Sequence, residues 1–250
     1  MTSQGSHTDQ HESIYDRGEM YEAFYRGRGK DYTGEAALVT SLIRDRLLEA
    51  DSLLDVACGS GDHLSRFADS FGHVEGLDLS EDMVQLARKN TGVPSHRGDM
   101  RDFALDRTFG AVVSSSAGWR TAPMSMNSPR HSVLSPVTSR RAASSSSSPS
   151  GFPRTSWRAT WAPTRSSRAG VPYVRVSHSV RDGGVSHMEV HYLVASAEGG
   201  VTHFSDVHRT TLFTREEYES AFVRAGCEVE YVKHPLAPRG LFVGTAAPAA

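Results

Sequence analysis

The sequence predicts an α/β protein with a doubly wound, mainly parallel sheet that carries helices on both faces. Short apolar runs alternate with amphipathic segments through the first half of the chain, and a glycine pair directly follows the first apolar run. The C-terminal third differs, because strand-like runs succeed one another there with tight turns between them. These runs predict an antiparallel sheet added to the parallel one.

The first half is predicted to alternate helices with strands. Residues 1–13 are polar and are expected to form a disordered tail. A helix is predicted over 34–50, because its apolar residues recur on one helical face. A buried strand at 52–57 and a helix at 62–71 follow. The apolar residues of the first helix are Leu38, Val39, Leu42, Ile43 and Leu47.

Three more strands and one helix complete the predicted parallel half. A second strand at 74–79 leads to a helix over 81–90, for which Ser80 is a suitable N-cap. A short third strand is expected near 93–96, and a fourth over 109–113.

The C-terminal third predicts a three-stranded meander, a helix and a closing strand pair. The three strands are expected at 174–180, 186–195 and 201–213, with glycine turns after Asp182 and Glu198. The run from Thr214 to Glu217 forms a capping box that opens a helix to Arg224, and Gly226 marks its end. The closing strands are expected at 228–232 and 241–244.

Composition limits the class of protein. The 250 residues suit one large domain, and no apolar run approaches the ~18–20 residues that span a bilayer. Residues 1–6 lack the basic and apolar regions of a secretory signal. With only two cysteines, Cys58 and Cys227, the chain has no disulfide framework, so a cytoplasmic location is expected. A net charge of −2 argues against a general nucleic-acid binder, and no membrane partner is expected.

A ligand-binding site is predicted at the glycine turn. Gly59 and Gly61 follow a buried strand, where they let the backbone turn sharply and approach a ligand. Asp78 ends the next strand, where its carboxylate can accept both hydroxyls of a ribose. Leu64 replaces the third glycine of a dinucleotide site, and Asp55 would repel phosphate but attract an amino group. A structural alternative is that the glycine pair only ends the strand.

This pattern resembles the Asp-x-x-x-Gly-x-Gly motif of class I S-adenosylmethionine-dependent methyltransferases. The resemblance implies a Rossmann-like sheet of seven strands and S-adenosylmethionine as the cofactor. It also places Asp99 against the adenine amino group and Met100 against the adenine ring; the alternative for Asp99 is a loop carboxylate that caps the next turn. The cofactor-binding residues implied are Tyr15, Tyr32, Asp55, Ala57, Gly59, Gly61, Asp78, Leu79, Asp99 and Met100.

A closer resemblance extends to both ends of the chain. It is to the N,N-dimethyltransferases that act on thymidine-diphosphate (TDP) amino sugars in antibiotic biosynthesis. It implies a homodimer, an antiparallel lid over the active site, and a nucleotide-linked amino-sugar substrate. The matching stretches are 25–32, 53–61, 68–80, 98–103, 175–179, 189–192, 211–216 and 239–242.

Several further side chains have two interpretations each. Tyr15 and Tyr32 would close over the cofactor, where aromatic faces attract a sulfonium, or would pack an N-terminal helix on the sheet. Arg239 would contact the substrate diphosphate or lie on a surface turn. Histidines on the later strands lack metal-ligand spacing, and no metal is predicted. No catalytic base is assigned, because Trp119 stands where the family has a histidine after Ser-Ser-x-Gly.

The middle of the chain departs from the family. Residues 107–181 hold 11 Arg and no Asp, Glu or Lys, and residues 114–168 contain 17 Ser. Repeated TCG codons for Ser read as GTC, which is Val, when shifted by one nucleotide. We therefore hypothesise a pair of compensating frameshifts, against a true Ser/Arg-rich insertion. As written, the chain is expected to lose a central strand and to be insoluble or inactive.

The predicted organisation thus has five parts. They are the tail 1–13, the cofactor-binding half 14–113, the anomalous segment 114–168, the lid and dimer sheet 169–213, and the C-terminal helix and strands 214–245. Two other functions stay open on the sequence: a methyltransferase for another small molecule, acting on O or N, and a catalytically inactive S-adenosylmethionine-binding protein.

Overall fold

The structure is a computed structural model that describes residues 30–114, 132–136, 160–168, 171–196 and 199–246. Within these ranges, side chains are described for residues 30–114, 174–195, 199–237 and 240–246. The tail, Tyr15 and most of the anomalous segment, including Trp119, lie outside the described residues. No described helix is both long and apolar enough to cross a membrane.

A seven-stranded sheet forms the centre of the described fold. Its strands are β1 (Ser52–Val56), β2 (His73–Asp78), β3 (Ser95–Arg97), β4 (Ala111–Val113), β5 (Ser132–Pro136), β10 (Cys227–His234) and β11 (Ala237–Ala246). They lie in the order β10-β11-β5-β4-β1-β2-β3. Strands β1 to β5 run parallel, whereas β11 is antiparallel to both β5 and β10. The prediction of a mainly parallel, Rossmann-like sheet is therefore confirmed.

Four described helices accompany the sheet. They are α1 (Tyr32–Arg44), α2 (Leu64–Ala68), α3 (Glu81–Thr91) and α4 (Arg215–Arg224). The predicted N-cap at Ser80 and capping box at Thr214 are both present. Helix α1 begins earlier than predicted, because Asp31 caps its first turn by accepting from the Gly34 amide at 2.8 Å. It also ends earlier than predicted, at Arg44.

Helix α2 is much shorter than the predicted 62–71. Residues 61–63 belong to the turn, and the chain leaves the helix after Ala68. There, the Gly72 amide donates to Asp51 Oδ1 at 2.8 Å, which directs the chain into β2. A short helix thus replaces the longer one in the predicted position.

The fifth position of the central sheet is occupied, contrary to expectation. Residues Ser132–Pro136 form β5, which pairs in parallel with β4 and antiparallel with β11. The backbone can supply these pairings whatever the side chains are, which is why a sequence poor in strand formers can still take this position. The expectation that the chain as written lacks a central strand is therefore wrong for this structure.

A second sheet has four antiparallel strands in the order β6-β7-β8-β9. They are β6 (Thr160–Arg168), β7 (Val171–Asp182), β8 (Val185–Ser196) and β9 (Gly200–Thr211). The predicted meander corresponds to β7–β9, and Gly183 and Gly200 have the positive φ expected of its turns. Strand β6 is not among the predicted strands, because it lies entirely within the anomalous segment 114–168.

The apolar core covers both faces of the seven-stranded sheet. One cluster joins α1, α2 and α3 to it and includes Ile43, Leu64 and Phe67. The other joins α4 to it and includes Tyr218, Phe222 and Phe242. The sheet is thus covered by helices on both sides, and the carboxyl ends of β1, β2 and β4 meet at one edge.

Candidate active site

The glycine turn begins immediately after β1. Ala57, Gly59 and Gly61 all have positive φ, at 58°, 57° and 88°. A side chain at position 61 would bring its Cβ within 2.8 Å of Thr91 Cγ2, so only glycine lets the turn pack on α3. Leu64, the residue that argued against a dinucleotide site, is fully buried in the core. The turn therefore holds a backbone shape that few residues adopt, and Gly59 is the one partly exposed position among residues 57–61.

Asp78 holds the turn from the neighbouring strand. Its Oδ2 accepts from the Gly59 amide at 2.9 Å and its Oδ1 accepts from the Ser80 amide at 3.0 Å. Burial raises the pKa of Asp78, against the backbone hydrogen bonds that lower it. Next to it, Leu79 is 60% exposed although it is apolar. A carboxylate and an exposed apolar side chain thus lie side by side at the end of β2.

Asp55 lies on the other side of the turn. It is fully buried in β1, in register with Gly76 of β2 and Val113 of β4. Burial raises the pKa of Cys58 well above its ordinary value, and the charges of Asp55 and Asp78 raise it further. Cys58 is therefore a neutral thiol and no nucleophile, while Asp55 supplies negative charge where the turn begins.

Asp99 and Met100 follow β3, as predicted. Asp99 Oδ1 accepts from the Arg101 amide at 2.9 Å, and its carboxylate also pairs with the Arg101 guanidinium. The hydrogen bonds from the Arg101 guanidinium and from the Arg101 amide lower the pKa of Asp99, and the charge of the guanidinium lowers it further. The turn-capping role is therefore present, and a contact with adenine stays a prediction. Met100 packs against the core cluster that contains Phe242.

Tyr32 is the first residue of α1, and the structure brings it to the glycine turn. Its ring contacts the His63 ring edge-on, with centroids 5.0 Å apart. His63 in turn contacts Glu35, which pairs with Lys30. Sequence reasoning missed His63 and Glu35, because 28 residues separate them and neither belongs to the motif.

Other predicted contacts are only partly described. Arg239 lies in β11, but its side chain is outside the described side chains. His191 Nδ1 and His203 Nε2 are 2.9 Å apart on the second sheet. No group of three or more potential ligands is placed to hold a metal ion within the described ranges.

Two buried polar groups were not predicted. Arg175 is 5% exposed; one guanidinium nitrogen donates to Ser177 Oγ at 3.0 Å, and its Nε has no hydrogen-bond partner among the described side chains. Ser114 follows β4, next to the site edge, and its buried Oγ likewise has no hydrogen-bond partner within the part of the chain that the structure describes. Burial of an unpaired polar group is costly.

Comparison with known proteins places these residues in a family. A methyltransferase domain model matches residues 53–134. Two curated N,N-dimethyltransferases are similar over nearly their full length. One acts on dTDP-3-amino-3,4,6-trideoxy-alpha-D-glucopyranose in Streptomyces venezuelae and is 46% identical, with 93% of this chain and 98% of that protein covered. The other acts on dTDP-3-amino-3,6-dideoxy-alpha-D-glucopyranose in Streptomyces fradiae and is 43% identical, with 90% and 89% covered.

Solved structures agree with the sequence comparison. DesVI of Streptomyces venezuelae superposes with a TM-score of 0.76 at 43% identity, covering 93% of this chain and 99% of that chain. CalS10 of Micromonospora echinaspora, an amino pentose methyltransferase solved with S-adenosylmethionine bound, gives 0.72 at 39% identity, covering 91% and 97%. The cofactor of this family is thus S-adenosylmethionine, which the residues at the glycine turn fit. The chain belongs to the family of S-adenosylmethionine-dependent N,N-dimethyltransferases of TDP-linked amino sugars.

Proposed function

We propose that this chain N,N-dimethylates the amino group of a TDP-linked amino-deoxysugar in antibiotic biosynthesis. The observation that carries the proposal is its full-length similarity to two enzymes named for such substrates, at 46% and 43% identity. Both of these act on 3-amino sugars, whereas a relative named for a 4-amino sugar is 37% identical. A 3-amino sugar is therefore the first substrate to test.

The residues at the turn have complementary roles in holding S-adenosylmethionine. Asp55 would attract the cofactor's amino group, and the backbone from Ala57 to Gly61 would lie against its methionine moiety. Asp78 would accept the ribose hydroxyls with the lone pairs that the Gly59 and Ser80 amides leave free. These assignments follow from charge and hydrogen-bonding capacity.

The adenine end is assigned to the neighbouring loops. Leu79 offers an exposed apolar surface beside Asp78. Both oxygens of Asp99 accept from the Arg101 guanidinium, so Asp99 would accept from the adenine amino group by releasing part of that pairing, and Met100 would pack on the ring. Tyr32, at the start of α1, and Tyr15 would close over the cofactor. Arg239 would pair with the substrate diphosphate.

Bound S-adenosylmethionine supplies a methyl group already activated by a sulfonium sulfur. The task of the protein is therefore alignment, and proximity of this kind is worth up to ~7–11 kcal/mol in favourable cases. The amine must be neutral to offer its lone pair, so a surrounding wall of carboxylates would hinder the reaction. No residue is assigned as a general base, since one is optional for this displacement.

We also propose that the enzyme is a cytoplasmic homodimer. Cys58 and Cys227 are free and buried, which suits a reducing compartment. The pairing of β7–β9 places Val176, Val180, Leu193, Val201 and Val207 on one face of the second sheet, where all five are 38% or more exposed. The face also carries polar side chains, among them His178, Glu189 and His191, and its exposed valines and leucine favour a second copy of the chain as its partner.

The dimer can be tested by charge substitution. Val207→Glu should convert a dimer into a monomer, measured by light scattering after gel filtration. Val223→Glu is the matched control, because Val223 is 63% exposed on α4, away from this face. A wild-type monomer, or a dimer that Val207→Glu leaves intact, would rule out this interface.

The activity can be tested with purified protein and defined TDP-amino sugars. We expect S-adenosylmethionine-dependent addition of one and then two methyl groups to a TDP-3-amino sugar, followed by mass spectrometry. A 4-amino sugar and a TDP-sugar with a hydroxyl in place of the amine are the controls. Turnover of the hydroxyl sugar would indicate an O-methyltransferase, and cofactor binding without any turnover would indicate an inactive protein.

A further inference from the structure

Four residues outside the glycine motif form a polar cluster at the start of α1. They are Lys30, Tyr32, Glu35 and His63, and we call them the α1 cluster. Glu35 Oε2 lies 3.0 Å from His63 Nε2 and 3.1 Å from Lys30 Nζ. Lys30 Nζ also lies 4.9 Å from the centre of the Tyr32 ring. Together with the contact between the Tyr32 and His63 rings, these pairs link the four side chains into a closed ring of contacts.

The protonation states of the α1 cluster follow from burial. The His63 side chain is 4% exposed, and burial lowers its pKa against the hydrogen bond and charge of Glu35. For Glu35, burial raises the pKa, but the hydrogen bonds and charges of His63 and Lys30 outweigh it and lower the pKa overall. At neutral pH, His63 is thus a neutral ring whose Nε2–H donates to an ionised Glu35.

The α1 cluster joins two parts of the predicted cofactor site. His63 is two residues beyond Gly61, in the segment that links the glycine turn to α2. Tyr32 and Glu35 lie in the first turn of α1. The hydrogen bond from His63 to Glu35 therefore fixes the start of α1, and Tyr32 with it, against the turn that Asp78 holds from the other side.

We propose that His63 is a positioning residue for S-adenosylmethionine, acting through its ring contact with Tyr32 and through Glu35 and Lys30 to hold Tyr32 at the cofactor site. His63 itself needs no contact with the reacting atoms in this role. The inference rests on the proposed function, because it takes Tyr32 as part of the cofactor site. Its consequence is that cofactor affinity depends on a hydrogen bond outside the glycine motif.

The test measures the affinity of the whole chain for S-adenosylhomocysteine by calorimetry, without turnover. We expect His63→Ala to weaken binding roughly tenfold, the usual effect of losing one hydrogen bond to a charged group. His63→Gln should restore affinity to within about threefold, because the Gln amide can donate to Glu35 in place of Nε2–H. Arg66→Ala is the control, since Arg66 is exposed on the same short helix.

A second arm separates positioning from folding. Tyr32→Leu should weaken binding, and its effect should be less than multiplicative with that of His63→Ala, because both act through one contact. Glu35→Gln keeps the side-chain shape but removes the charge that pairs with Lys30, so it should weaken binding even if His63→Ala fails to fold. Glu49→Gln, at an exposed glutamate, is its control.

The outcomes distinguish the inference from the proposed function. If the wild-type chain binds S-adenosylhomocysteine and the His63→Ala and Glu35→Gln variants bind it as tightly as the wild type, the inference is overturned and the proposed function is not. The same holds if the loss in His63→Ala matches that in Arg66→Ala, or if His63→Gln gives no rescue. A wild-type chain that binds no S-adenosylhomocysteine overturns the inference together with the cofactor site on which it rests.

Discussion

Ala57 has a φ of 58°, a backbone conformation that costs an L-residue roughly 1–2 kcal/mol and glycine almost nothing. Ala57→Gly should therefore leave the free energy of unfolding unchanged or raise it by about 1 kcal/mol. Ala37→Gly, at an exposed position inside α1, should lower it by about 1 kcal/mol. Urea unfolding of both variants checks the contrast. Equal losses in the two would show that Ala57 carries no such strain.

Asp78 offers a second prediction at a single residue. Asp78→Asn should weaken S-adenosylhomocysteine binding by about 100-fold, because an amide has one acceptor oxygen where the carboxylate has two. Its NH2 group would also face the Gly59 or Ser80 amide, donor against donor, so some stability should be lost as well. Calorimetry measures the affinity, with Asp69→Asn at an exposed site as control. Unchanged affinity would remove Asp78 from the cofactor site.

Residues of the site differ in how far the sequence could predict them. Asp78 and the glycines follow neighbouring parallel strands, whose carboxyl ends always meet at one edge, so their proximity follows from topology. The contact between Glu35 and His63 depends on how α1 is placed against the turn, and no local pattern records that placement. Asp99 was predictable as a polar group after β3, but its bond to the Arg101 amide depends on the local loop conformation.

At the scale of elements, Glu75 holds together strand β2, the neighbouring edge strand β3 and a loop. Its carboxylate is buried in β2 and lies 2.6 Å from His73 Nε2, 2.7 Å from His96 Nε2 of β3, and 2.5 Å from an Arg107 nitrogen. Burial raises its pKa, but the hydrogen bonds of both histidines and the charge of Arg107 outweigh it and lower the pKa. One carboxylate thus accepts from three elements of the fold.

Glu75→Gln should cost about 1–3 kcal/mol of stability at pH 7, because it leaves buried and charged partners poorly satisfied. The lowered pKa means that the ionised Glu75 stabilises the fold above its ordinary pKa of 4.5, and that this contribution is lost as the pH falls below that value. The difference between wild type and variant, measured by urea unfolding, should therefore shrink as the pH falls from 4.5 downwards. Glu49→Gln serves as control, and a constant difference would contradict the linkage.

Elements were most predictable where a local signal fixes an end. The capping box places the start of α4, where the Thr214 side chain accepts from the Glu217 amide, and Ser80 places the start of α3. Helix α2 was predicted too long, because a tertiary hydrogen bond from Gly72 to Asp51 redirects the chain after it. Strands β5 and β6 escaped prediction, because backbone pairing with neighbours places them and their composition does not.

For the whole molecule, the anomalous middle replaces family sequence and does not add to it. The match to a curated relative covers 93% of this chain and 98% of that protein, which leaves no room for a long insertion. Strand β5 lies between β4 and β11, where parallel sheets favour continuous apolar runs, yet Ser132, Ser135 and Pro136 make up three of its five residues. The backbone of β5 thus occupies the strand position of the family fold, whereas its residue types are not those expected of a buried central strand.

We therefore propose two compensating frameshifts around residues 114–168, and a test at the level of the gene. A new DNA read should show that a shifted frame encodes a Val-rich strand followed by acidic residues, which would also restore carboxylates to the 11-Arg stretch. The corrected chain should melt at a higher temperature than the chain as written, because a central strand regains apolar side chains. A gene recoded silently in the present frame is the control for expression. A DNA read that keeps this frame, with only stop codons or polar runs in the alternatives, would establish the Ser/Arg-rich segment as the true sequence.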